Sequence, residues 1–125
     1  MTLQAVKERL SQLGYVAQSS EDTALQFLMD KVTAEVKINC NVSAAPSDLD
    51  SAMVDRVCGE YLQQLLGIGK LTGYTFDATV KAITEGDSSF TFADDDSAET
   101  KFSKILMQMI DGLNDLEIAY RKLRW

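Results

Sequence analysis

The sequence predicts a mainly α fold: a small bundle of about four helices, with one β-hairpin inserted between helices three and four. Three observations point there. Apolar residues recur at spacings of three and four over four long stretches. Gly, Asn and Pro punctuate the gaps between those stretches. One stretch, rich in β-branched and aromatic residues, abandons the helical period.

The first helix is expected over about residues 2–13, where Leu3, Val6, Leu10 and Leu13 form one stripe. Thr2 is placed to cap its start, and Gly14 to end it in the left-handed conformation. Ser19 or Ser20 is expected to cap a second helix that runs to about Ile38, with Glu21 and Asp22 at its positive end. Its apolar face is Leu25, Leu28, Val32 and Val36, widened by Phe27, Met29 and Ile38. Asn39-Cys40-Asn41 reads as a break, since Asn tolerates left-handed geometry. Pro46 opens a third helix with the stripe Leu49, Met53, Val57, Tyr61 and Leu65. Gly67, Gly69 and Gly73 then end it.

Residues 78–84 are β-branched-rich, Glu85-Gly86-Asp87-Ser88 is turn-like, and Ser89-Phe90-Thr91-Phe92 alternates polar with aromatic. Together they read as a hairpin. A lone hairpin is marginal in water, so something must cover it: the chain's own helices or a neighbouring subunit. Asp94-Asp95-Asp96-Ser97 lacks the alternating ligands, the central Gly and the closing Glu of a calcium loop. It reads as a solvated loop, with Asp96 and Glu99 spaced as a capping box. The last helix is expected from about Ala98 to at least Leu113, with Phe102, Ile105, Leu106, Met109, Ile110 and Leu113 facing the core.

At 125 residues the chain is the size of one domain, and roughly two thirds of its unfolded surface can be buried. It needs no disulfide or metal to hold a core. A net charge of −7 argues against a surface that grips phosphates, which requires clustered Lys and Arg. An acidic surface instead repels DNA, as suits a conduit through which DNA slides without sticking. Cys40 and Cys58 lack metal-ligand spacing, and the chain holds no histidine to join them. They read as free thiols in a reducing compartment. The first residues form no basic-then-apolar signal sequence, and no apolar run approaches the roughly 20 residues of a membrane span. No membrane partner is expected.

Catalytic chemistry leaves no trace. Without histidine the usual general base near neutral pH is missing. Gly67-Ile68-Gly69-Lys70 has neither the spacing nor the preceding strand of a phosphate loop. No catalytic residue, cofactor or metal is therefore assigned. Arg121, Lys122 and Arg124 supply three of the twelve positive charges within four residues, beside Trp125, the sole tryptophan. Their two readings are a helix end with cations matched to the dipole, and a docking tail built from the residue types of interface hot spots.

Three segments, in order, resemble the small head–tail connector, or head-completion, proteins of tailed bacteriophages and prophages. The first is Val36-Lys37-Ile38-Asn39-Cys40-Asn41-Val42, followed by Pro46 and a helix reaching Tyr61-Leu62. The second runs from Val80 through Gly86-Asp87-Ser88 to Phe92, similar to the family's hairpin, with a departure at Phe90 where a β-branched residue is usual. The third is the stretch from Leu116 to Tyr120-Arg121-Lys122-Leu123-Arg124-Trp125, similar to the family's R-x-x-R-W ending. The resemblance implies a structural, non-enzymatic virion protein at the head–tail junction, made in the host bacterial cytoplasm. Such proteins form a ring, commonly dodecameric, that docks beneath the portal protein after DNA packaging. The ring offers a platform to the next connector or tail-completion protein, and double-stranded DNA passes through its lumen. Ring contacts are head to tail, so two different surfaces must match. Val80, Ile83, Phe90 and Phe92 of the hairpin, with Tyr120, Arg121, Lys122, Arg124 and Trp125, are the candidate interface residues. Two rival readings are a cytoplasmic adaptor that holds a peptide in a helical groove, and a small enzyme using carboxylates alone.

Overall fold

Thr2 is extended and its Oγ1 accepts the Ala5 N–H at 3.1 Å, so the first helix starts where a side-chain cap can satisfy an otherwise open amide. The computed structural model describes residues 1–69, 80 and 97–120, which contain four long helices: α1 (Leu3–Gln12), α2 (Asp22–Cys40), α3 (Asp50–Gly67) and α4 (Ala98–Tyr120). Among the described residues there is no strand, and no helix is long and apolar enough to cross a membrane.

The first three helices end where the sequence supplies a residue for the turn. Gly14 takes φ 86°, and the Tyr15 N–H returns to the Leu10 carbonyl at 2.9 Å. Asn41, at φ 55°, closes α2 two residues beyond the expected end, and the Val42 N–H reaches the Lys37 carbonyl at 3.0 Å. Neither Ser19 nor Ser20 caps α2. They lie in a 3-10 turn, Ser19–Glu21, whose entry is capped reciprocally by Gln18 and Glu21. A second 3-10 turn, Ser47–Leu49, follows Pro46 into α3. At α4 the cap is Ser97: its Oγ accepts the Thr100 N–H at 3.1 Å. Asp96, the expected cap, lies outside the described residues.

The core is one cluster built on α3, which packs against α1, α2 and α4. The predicted stripe of α3 is buried throughout; that of α1 is buried at Val6, Leu10 and Leu13, while Leu3 is only partly buried. On α2 the stripe Leu25, Leu28, Val32 and Val36 is buried and Met29 widens it. Phe27 and Ile38 do not; both are 67% exposed. Phe27 sits two residues, or about 200°, around the helix from Leu25, too far to share its face. Cys40 and Cys58 are buried free thiols. Burial first, then the Asp55 carboxylate, pushes the Cys58 thiol up to about 12, and burial followed by Glu117 raises that of Cys40.

The expected hairpin falls outside the described residues except at Val80, which is helical rather than extended and is buried in the core.

Gly59 sets how closely α3 and α4 approach. A Cβ there would lie 3.0 Å from Ile110 Cγ1 and 3.1 Å from the Leu106 carbonyl oxygen, which is backbone and cannot swing aside. Gly112, within α4, has nothing within 4 Å of its would-be Cβ. The two glycines should therefore respond oppositely to alanine. Gly112→Ala should gain about 0.5–1 kcal/mol from helix propensity. Gly59→Ala should lose about 1 kcal/mol or more, as overpacking outweighs the same gain. Urea midpoints of the two variants check this; equal shifts would mean that the helices do not cross at Gly59.

Candidate functional site

Two polar constellations interrupt the helical packing, and several large apolar side chains stand exposed on the surface. The first lies in the seam between α2, α3 and α4. Arg56 on α3 is 14% exposed, and its guanidinium lies 3.1 Å from Glu35 of α2, 3.7 Å from Glu60 one turn on, and 3.6 Å from Glu117 of α4. It also donates to the Asn114 side-chain oxygen at 3.0 Å. Lys31 stands 3.9 Å from Glu35 and 3.8 Å from Glu60. Three carboxylates thus share two cations. Glu117 is the deepest, its side chain 4% exposed. A charge at such depth is tolerated because Arg56 faces it.

Glu117 was invisible to a search for apolar stripes, yet it sits on one. It follows Leu113 by four residues and Leu106 by eleven, both helical spacings, so it continues the buried face of α4. The neighbours Leu116 and Ile118 turn outward, 43% and 71% exposed. Among the described residues no group of three or more His, Cys, Asp or Glu side chains is arranged to hold a metal ion.

The second constellation joins the α1–α2 connection to α3. The hydroxyls of Tyr15 and Tyr61 both donate to Glu21 Oε1, and the Gln18 N–H donates to Glu21 Oε2 at 2.7 Å. The rings meet edge to face, centroids 6.2 Å apart. Burial works to raise the Glu21 pKa, but the two hydroxyls, the Gln18 amide and the charge of Lys7 together outweigh it and hold the carboxyl below its usual 4.5. Burial, then the bond to Glu21, pushes Tyr15 up to about 12, and the same causes raise Tyr61.

These directions fix the signs of a pH response. A lowered carboxyl stabilises the fold above its unfolded value and loses that contribution as the pH falls through the folded value. A raised phenol stabilises the fold below its unfolded value and loses that contribution as the pH rises through the folded one. The stability gap between the parent and Glu21→Gln should thus be full at pH 7 and close as the pH falls below 4.5. Tyr15→Phe should flatten the loss of stability between pH 10 and about 12. Denaturant midpoints across pH measure both. A Glu21→Gln gap that stays constant from pH 7 to pH 3 would contradict the cluster.

The surface holds Phe27, Ile38, Leu116 and Ile118, apolar and turned to solvent. Of the interface residues expected from sequence, Val80 is buried in the core rather than displayed. Tyr120 is the last residue of α4. Ile83, Phe90, Phe92, Arg121, Lys122, Arg124 and Trp125 lie outside the described residues. Set against known protein families, curated proteins and solved structures, the chain finds no match in any of the three.

Proposed function

We propose that this chain is a structural subunit of a tailed-phage virion, forming a ring beneath the portal that completes the head and joins it to the tail. The observation that carries the reading is the order of three sequence segments, at 36–62, 80–92 and 116–125, each similar to its counterpart in head–tail connector proteins. The physical chemistry agrees with that role. The polar groups of the seam and of the tyrosine cluster are engaged in tying helices together, which leaves the surface as the place of work. The net charge of −7 suits a lumen past which DNA moves without adhering. The outward Leu116 and Ile118 end α4 beside a cationic, aromatic segment, the composition of an interface anchor.

Cryo-electron microscopy of particles from the phage that encodes the chain tests the proposal directly. The subunit should form a ring between portal and tail with carboxylates facing the channel. Its absence from the junction, or a basic lumen, would refute it. Deleting residues 120–125 should abolish particle completion while leaving the stability of the isolated chain within about 1 kcal/mol of the parent.

A further inference from the structure

Leu3, Asp22, Thr23, Gln26, Phe27 and Asp30 line a shallow depression of about 520 Å³ where the first turn of α1 meets α2. Phe27 stands in it two-thirds exposed, an unusual setting for so large an apolar ring. Its rim is acidic. Asp22 is paired with Lys7, while Asp30 accepts the Gln26 amide at 3.0 Å and has no cation within 4.0 Å among the described residues. The surface therefore offers one aromatic face beside one uncompensated carboxylate.

We propose that this depression receives residues 121–125 of a second copy of the chain. The inference rests on the reading that copies associate head to tail. Charge selects the occupant. The whole chain carries −7, so copies repel in general, but Arg121, Lys122 and Arg124 concentrate three positive charges beside Trp125. Trp125 supplies the ring for Phe27, and an arginine supplies the cation for Asp30.

Geometry selects a second copy over the chain's own tail. The Cys40 thiol donates to the Glu117 carbonyl at 3.6 Å, so the last turns of α4 lie at the C-terminal end of α2. Phe27 is thirteen residues back along α2, about 20 Å at the helical rise. The five residues after Tyr120 span at most about 18 Å fully extended. Phe27 also lies about 140° around α2 from Cys40, so the chain's own tail would have to run those 20 Å and pass around the helix as well, farther than five residues and one indole extend.

The test uses the full chain and two probes. A fluorescein-labelled peptide with the sequence of residues 120–125 should bind it saturably. Asp30→Lys and Phe27→Ser should each weaken binding at least tenfold, and 0.5 M salt should weaken it as well. Trp125 emission of the unlabelled chain should shift to the blue as concentration rises. The swap Asp30→Lys with Arg124→Glu should restore the shift that Asp30→Lys removes. Peptide binding indifferent to both substitutions would overturn the inference, as would no binding, or an emission shift independent of concentration. A chain that binds the peptide through Asp30 but is absent from particles retires the virion reading alone. A chain found beneath the portal whose peptide binding ignores Asp30 and Phe27 retires this inference alone.

Discussion

Arg56→Met should lower the stability of the fold by about 3–5 kcal/mol, the cost of leaving a buried charge without its partner. For a chain of this length that corresponds to a fall in Tm on the order of 10 °C. The size of the effect follows from where the three carboxylates sit. Glu35 and Glu60 keep Lys31 within 4 Å. Glu117 keeps no cation within that distance among the described residues, and its side chain is 4% exposed. Methionine fills much of the arginine's volume, so packing is largely preserved and the loss reports the orphaned charge. The double variant Arg56→Met, Glu117→Met should recover most of the stability, because an apolar pair of similar volume can replace a buried ion pair with little cost. The single-variant effect should also persist in 0.5 M salt, which screens exposed pairs far more than enclosed ones. A loss below about 1 kcal/mol, or one erased by salt, would mean that the seam is open to water.

The seam also marks where sequence reasoning stops. The apolar stripes of all four helices were legible because each is a local property: Leu25, Leu28, Val32 and Val36 declare their shared face by spacing alone. Gly14 and Asn41 were legible as turn residues for the same reason, since only a few residue types accept a positive φ cheaply. The partners of Arg56 come from three different helices, and no local spacing pairs them. Glu117 was missed because a charge on an apolar stripe reads as its polar edge until a facing arginine is known. The serines before α2 misled because a 3-10 turn intervenes and moves the cap to Gln18 and Glu21. Phe27 reads as a core residue by its character, but its angle around α2, about 200° from Leu25, turns it outward. That same misfit draws attention to it as a surface feature.

Phe102→Ala should cost about 3–5 kcal/mol, the range for truncating a fully buried aromatic ring. Phe102 heads the stripe that continues through Ile105, Leu106, Met109 and Leu113, all buried. The packing of α4 against α3 rests on this stripe and on the close approach at Gly59. Removing the ring leaves a cavity at the start of α4 that surrounding side chains fill only in part, and the cost therefore exceeds simple transfer of the lost carbons to water. Met107 offers the matched control. It lies on the same helix, 46% exposed, and Met107→Ala should change stability by no more than about 0.5 kcal/mol. Urea titrations of both variants should share the parent's m value, so that the midpoints report stability alone. If the two substitutions cost the same, α4 does not turn Phe102 inward, and the face it presents to α3 would have to be reassigned together with the place of Glu117 beside Arg56.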